Sequence, residues 1–541
     1  MEVRARQLAV GRRRAAREAL RRVFGFEDFR PGQEEAVSAA LRDRDALVVM
    51  PTGSGKSLCY QLPALMRDDL TVVVSPLVAL MHDQVRALRE LAPGVVEVVN
   101  SQRGGGANAE AVARAVHGDV RLLYVAPERF GSVGFASRIR DARVGLFVVD
   151  EAHCVSQWGH DFRPDYLCLA AAARALGARA VMGLTATATP RVAADIVLAL
   201  GLRDPARVTT GFDRPNLTFS VVRCGGWLDK RRRVAAALGC VDALPAIVYT
   251  GTRAAAEELS FRLARALGLG VGDGVVCYHA GLDPGARARA QERFMSGKAR
   301  VMVATNAFGL GIDKPDVRTV CHASVPASLE AYYQEAGRAG RDGRPARCLL
   351  FAEPRDKGLH VFFIQRSRVS DAALEGVAER LKWAGLDGRY HVPVADLAAG
   401  VGLDGSHRGG ARTESSSEDD VVRAIIGHLA AARVLEPEPA PADRVAGRVV
   451  GGWDRRALAL CREAARDAER ERWRGYRAVW EYVEGSRCRR EVLLAHFGDR
   501  AASKPAVACC DVCAPAGSPA EREPGLCSDG SGPRAPRLRA A

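Results

Sequence analysis

Lysine is nearly missing from this 541-residue chain: only seven of its 78 basic side chains are lysine, so arginine is the default cation. That scarcity removes the ordinary explanation of a lysine as one more solvated charge. At position 56, a compact ammonium is required where a planar guanidinium would not serve. Long apolar runs are missing too. None reaches the roughly 20 residues that span a bilayer, and the N-terminus, with Arg12 to Arg14 and further arginines to Arg22, has no apolar signal-peptide core. No membrane partner is therefore expected. Those arginines suit an amphipathic helix or a nucleic-acid arm. Most of the fourteen cysteines, among them Cys59, Cys277, Cys321 and Cys348, stand singly in apolar surroundings, as core residues of a reducing compartment do. The late group Cys488, Cys509, Cys510 and Cys513 is the exception.

A formal net charge of +14 and a pI near 9.4 favour a polyanionic partner, most simply nucleic acid, over a merely scattered surface charge. The length implies several domains. From about residue 21 to 212, strand-like runs at 46–50, 71–75, 121–126, 145–150 and 179–184 alternate with helix-sized segments, the rhythm of a doubly wound α/β domain. A second series, at 246–250, 274–279, 300–305, 318–323 and 346–351, predicts another such domain over 213–352 and a cleft between the two. Residues 353–453 read as helices at 372–384, 392–400 and 421–432 followed by a two-stranded ribbon. That pattern fits a winged-helix-like domain with a polar loop at 405–420, or else a plain helical subdomain. Residues 1–20 read as a basic arm, 454–515 as a charged helical module, and 516–541 as a disordered Pro/Gly/Ser-rich tail. In the helical module, Trp473, Tyr476, Trp480 and Tyr482 are expected to be packing residues.

Chemistry is concentrated in Met50-Pro51-Thr52-Gly53-Ser54-Gly55-Lys56-Ser57, between an apolar run and a potential helix. Its backbone N–H groups and helix N-terminus can surround phosphate oxygens, with Lys56 at the β- and γ-phosphates and Ser57 on Mg²⁺. Val148-Val149-Asp150-Glu151-Ala152-His153 places Asp150 at a strand tip to hold the metal and Glu151 beside it to orient and deprotonate water. The pair, correctly ordered, implies binding and hydrolysis of a nucleoside triphosphate.

Residues 24 to 343 carry further motifs in the order of superfamily 2 helicases and most closely resemble the RecQ family. Phe24-Gly25-Phe26-Glu27-Asp28-Phe29-Arg30-Pro31-Gly32-Gln33 resembles the family's adenine motif, in which the amide of Gln33 reads the base edge. Ser75-Pro76-Leu77 and Leu184-Thr185-Ala186-Thr187-Ala188 resemble its DNA-backbone and coupling motifs, which makes Ser75 and Thr187 candidate strand contacts. Ser156-Gln157-Trp158-Gly159-His160-Asp161-Phe162-Arg163 is similar to its aromatic-rich loop, and Trp158, Phe162 and Arg163 suit stacking on exposed bases. Gln334-Glu335-Ala336-Gly337-Arg338-Ala339-Gly340-Arg341 resembles its arginine motif, so Arg338 and Arg341 are arginine-finger candidates.

This resemblance implies two tandem RecA-like domains using ATP and Mg²⁺ to move 3′ to 5′ along single-stranded DNA and open duplexes in recombination or repair. The alternatives are an RNA-dependent ATPase, or a DNA translocase that never separates strands. Single-stranded DNA-binding protein and topoisomerase are implied partners, and a cytoplasmic, nucleoid-associated setting the implied location. Cys488, Cys510 and Cys513 resemble ligands of the family's zinc module. Cys509 departs from the usual spacing, which would put a cysteine where Val507 stands. The winged-helix-like segment also precedes that module, whereas better-known members place it after.

Overall fold

Short Val- and Leu-rich runs become buried parallel strands because both of their faces are covered by helices. In a computed structural model of the chain, which describes residues 2–76, 78–100, 103–131, 133–156, 163–240, 242–309, 313–384, 387–399, 416–438, 440–441, 443–499 and 505–513, two such sheets dominate. The first contains β1 (Ala46–Val49), β2 (Leu70–Val74), β3 (Val96–Val99), β4 (Leu122–Val125), β5 (Val144–Val149), β6 (Ala180–Thr185) and β7 (Ala206–Thr209), ordered β3-β4-β2-β5-β6-β1-β7. The second contains β8 (Leu217–Arg223), β9 (Ala246–Tyr249), β10 (Val275–Tyr278), β11 (Val301–Ala304), β12 (Thr319–His322) and β13 (Ala346–Ala352), ordered β10-β11-β9-β12-β13-β8. In the first sheet Val48 of β1 lies opposite Leu184 and Val208, which aligns the phosphate-loop strand with the strand carrying the Thr185 motif.

Sequence rhythm located ten of these strands and missed β3, β7 and β8, each at a sheet edge. Edge strands expose one side and tolerate polar residues; β7 alternates buried and exposed, so it carries no continuous apolar run.

The N-terminal segment is no free arm. Residues Glu2–Ala19 form a helix whose Ala16 and Ala19, with Leu20 beyond it, pack on Val37, Leu58 and Leu62, so apolar burial overrides its charge. Farther on, the helix expected at 392–400 divides into strand β14 (Arg389–Pro393) and the short helix Val394–Ala398. The expected two-stranded ribbon is accordingly a three-stranded antiparallel sheet, β14-β16-β15, with β15 (Leu435–Glu438) and β16 (Arg444–Val449). Tyr390 and Val392 point into the core on alternate positions, a two-residue period within a run too short to resolve by pattern. Helices Asp371–Ala384 and Ser416–Ala431 complete this winged-helix-like unit, and the latter absorbs the last residues of the expected 405–420 loop. Residues 400–415 and the tail from 514 lie outside the described residues.

A 30-residue helix, Arg455–Glu484, then leads to helix Arg489–His496. Trp480 and Tyr482 are buried against the second sheet's core, as expected of packing residues. Among the described residues no helix is long and apolar enough to cross a membrane.

Candidate nucleotide cleft and metal centre

The loop after β1 closes on itself. Gly53 and Gly55 hold φ of 83° and 82°, left-handed values that glycine adopts without strain. The Lys56 ammonium donates to the carbonyls of Met50 (3.1 Å) and Pro51 (3.4 Å). Ser54 Oγ donates to Pro51 O at 2.7 Å, and Ser57 stands at the N-cap position of helix Leu58–Met66 without a side-chain capping bond. Gln33 is buried beneath this loop, donating from Nε2 to the carbonyls of Ser54 (3.2 Å) and Gly55 (3.0 Å) while Oε1 accepts from Arg30 N at 2.9 Å. A Cβ on Gly55 would sit 2.6 Å from Gln33 Nε2, so the second glycine is required by contact as well as by φ.

Asp150 follows β5 directly, its Oδ1 accepting from Glu151 N at 3.0 Å. Glu151 is held at φ 50°, a left-handed conformation uncommon for a glutamate and a local strain at a candidate reacting group. His153 Nδ1 lies 3.3 Å from Glu151 Oε2 and 2.9 Å from Thr185 Oγ1, and Thr187 N donates to that same hydroxyl at 3.1 Å. Glu151 is thereby tied to the segment after β6.

The opposite wall comes from the second sheet. Arg341 pairs with Asp313 at 2.7 Å and lays its stem over the phosphate loop, where a Cβ on Gly53 would meet Arg341 Cγ at 3.4 Å. Arg338 is buried nearby. Thr52 Oγ1 and the Nε atoms of Arg338 and Arg341 are buried with no hydrogen-bond partner among the described residues. Electrostatics tell the same story. Burial lowers the Lys56 ammonium pKa, opposed by Glu151 and Asp150 and reinforced by Arg341; burial likewise lowers the Arg341 guanidinium. Asp150 is pushed up to about 7, first by burial and then by the Glu151 carboxylate. Recessed cations whose charge is disfavoured by burial and a carboxylate that resists ionisation would both be relieved by a polyanion carrying a divalent cation.

Sequence reasoning passed over one member of this wall. Arg214 donates from Nη1 to Thr52 O (3.2 Å) and Gly337 O (3.1 Å), and from Nη2 to Ala339 O (2.9 Å) and Gly340 O (3.0 Å). An arginine in an arginine-rich chain gives no compositional signal, and its partners are backbone atoms.

The candidate strand contacts fare differently. Ser75 and Thr187 are both 1% exposed. They sit where strands β2 and β6 run into the cleft floor, so burial follows from the sheet itself. Trp158 and Phe162 lie outside the described residues. Arg163 anchors the end of their loop, its N–H donating to Cys154 O at 2.9 Å and its guanidinium to Pro76 O at 3.4 Å.

All four late cysteines meet. The sulfurs of Cys488, Cys509, Cys510 and Cys513 lie within 4.8 Å of one another, with Cys488 to Cys509 at 3.6 Å and Cys510 to Cys488 at 3.9 Å. A tetrahedral zinc with Zn–S bonds of about 2.3 Å needs sulfurs about 3.8 Å apart. The four residues fit the ion, and Cys509 fits as well as the others although it adjoins Cys510.

Comparison with known proteins places these features. Residues 30–196 match the DEAD/DEAH box helicase family, 235–343 the helicase conserved C-terminal domain, and 454–514 the RecQ zinc-binding family. The chain is 43% identical over 354 residues to the ATP-dependent DNA helicase RecQ of Bacillus subtilis, covering 65% of this chain and 58% of that one. It is 37% identical over 365 residues to the probable ATP-dependent DNA helicase RecS of the same organism, covering 68% and 72%. This chain belongs to the RecQ family. It spans little more than half the length of the RecQ relatives that it matches. The fold is also that of a Mycobacterium smegmatis helicase, Lhr, solved with single-stranded DNA and AMP-PNP. That likeness has a TM-score of 0.52 at 22% identity and covers 84% of this RecQ-family chain and 61% of Lhr.

Proposed function

We propose that this chain is an ATP- and Mg²⁺-dependent DNA helicase that moves 3′ to 5′ on single-stranded DNA and opens duplexes during recombination, repair or fork processing. The observation that carries the reading is the composite cleft, in which Arg341 of one lobe lies over Gly53 of the other. Hydrolysis at such a site has a mechanical consequence, because each nucleotide state changes what joins the lobes.

Thr52 to Ser57 would wrap the phosphates, with Lys56 on the β- and γ-oxygens. Ser57 and Asp150 would hold Mg²⁺, which neutralises phosphate charge. Glu151 would orient and deprotonate the attacking water. Arg338 and Arg341 would stabilise charge on the transferred group, their unpartnered Nε–H groups being available for it. Gln33 spends both amide hydrogens on the loop, so its free lone pair at Oε1 is what remains for the adenine amine. Cys488, Cys509, Cys510 and Cys513 would hold Zn²⁺, which gives a small module the stability its core lacks. Strand contact falls to Trp158, Phe162 and Arg163, with Thr187 reporting to Glu151 through Thr185 and His153. Single-stranded and partly duplex DNA are the proposed substrates. A single-stranded DNA-binding protein and a topoisomerase are the proposed partners, in a nucleoid setting.

Strand displacement on a 3′-tailed duplex tests the reading, with ATPase stimulation by single-stranded DNA and by RNA measured alongside. Displacement with DNA-selective stimulation is expected. Robust ATPase without displacement would make it a translocase, and stimulation by RNA alone an RNA-dependent ATPase. Lys56→Ala should abolish hydrolysis and leave strand binding intact. Trp158→Ala should keep basal hydrolysis and lose its stimulation by DNA.

A further inference from the structure

The segment joining the two lobes, residues 211–217, is held at nearly every residue by the zinc-binding module. Phe212 N donates to Asp499 Oδ2 at 2.8 Å, and the Phe212 ring stacks on Phe497 at 4.5 Å. Arg490, 1% exposed, pairs through Nη1 with Asp213 Oδ1 (2.6 Å) and Arg214 O (2.8 Å), and through Nη2 with Leu217 O. Ala506 N donates to Pro215 O at 2.9 Å. The helix carrying Arg490 also belongs to both lobes: Leu493 packs in the second sheet's core, while Leu494 and Phe497 pack in the first.

From this fixed segment the Arg214 side chain turns into the cleft, where four carbonyls receive it, one in the phosphate loop and three in the arginine motif. A guanidinium offers five N–H groups in one rigid plane, so moving its Cα moves all four acceptors or breaks their bonds. We propose that Arg214 is a positioning residue for the nucleotide cleft, and that the zinc-binding module sets its place by gripping the interlobe segment through Arg490. The module is then part of the ATP site at one remove, although none of its described residues hydrogen-bonds the phosphate loop. The inference rests on reading the cleft as an ATP site, but the relay itself is a matter of contacts and can be measured without hydrolysis.

The test uses the full chain in Arg214→Ala, Arg490→Lys and Asp213→Asn forms, with the Arg214→Ala/Arg490→Lys double variant. Lysine keeps the charge of Arg490 but cannot reach three acceptors at once. Asp213→Asn removes only one charge at a partly exposed position, and so serves where the buried substitution fails to fold. Backbone hydrogen exchange is read in peptides spanning 50–57 and 337–341. Arg490→Lys and Asp213→Asn should speed exchange in both peptides at least threefold, and the double variant should exceed Arg214→Ala by less than twofold. In ATPase assays kcat should fall about tenfold with KM changed less than threefold, since the acceptors of Arg214 are backbone carbonyls of the loop and the arginine motif. Faster exchange confined to 211–219 and 489–499, or effects that multiply in the double variant, would overturn the relay. If exchange behaves as expected while the wild type hydrolyses no ATP, the relay stands and the functional reading falls.

Discussion

Lys56 and Lys230 show how much a single residue can reveal when its type is scarce. Lys56 was legible because it follows a glycine-rich loop; Lys230 was not, although the same scarcity applied to it. It is fully buried between Glu353 (3.0 Å) and Asp356 (2.9 Å), joining helix Trp227–Leu238 to the start of helix Pro354–Arg366. Removing it strands two carboxylates in the interior, so Lys230→Met should cost about 3–5 kcal/mol, read as a lowered denaturant midpoint with an unchanged slope. Gly55 makes the complementary point about a residue defined by what it lacks. Gly55→Ala should leave the fold intact and weaken binding of a fluorescent ATP analogue at least tenfold, because the methyl displaces the Gln33 amide and strains φ. Gln33 itself was legible as a site residue but not in its detail, since no spacing shows that its amide is already engaged by the loop.

At the scale of elements, the central strands were easy to read and three of the four edge strands were not, β7 because it alternates buried and exposed positions. The segment after residue 353 yielded its general build but not its third strand, because five residues of alternation in β14 look like the start of a helix when three apolar ones precede a helical turn. Within that unit, His428 on the helix Ser416–Ala431 is buried, and burial, with Arg472 nearby, drops its pKa to about 4. Below about pH 6.5 the unfolded chain takes up a proton that the folded unit refuses until about pH 4. Stability from this group is therefore full above pH 6.5 and lost as pH falls through that window, by about 3 kcal/mol. The winged-helix-like unit should loosen early on acidification, seen as faster hydrogen exchange in peptides from 416–431 at pH 5 than at pH 7.5 after correction for intrinsic rates. His428→Gln should remove most of that difference.

For the molecule as a whole, the two α/β lobes and the late cysteine group were legible, because a strand–helix rhythm and a thiol cluster are local patterns. The interlobe contacts were not, since Arg214, Arg490 and Asp499 are common residues whose meaning comes only from being brought together across some 280 positions. One molar equivalent of zinc is expected in purified protein. Cys509→Ser should lower that content as much as Cys510→Ser does, because both sulfurs belong to the one group of four within 4.8 Å of one another. Chelation should lower the melting temperature of both lobes, as the module shares core residues with each.

Synthesis order gives the gripped segment a further meaning. Residues 211–217 leave the ribosome about 280 residues before Arg490, roughly 15–55 s at ordinary elongation rates. Through that interval each lobe can fold, but the carbonyls of Arg214 and Leu217 lack the guanidinium that later satisfies them. If the proposed relay holds, the arginine motif would meet the phosphate loop in its final register only once the zinc-binding module is made. On the proposed relay, a nascent chain lacking the zinc-binding module would hold two folded lobes without an assembled cleft.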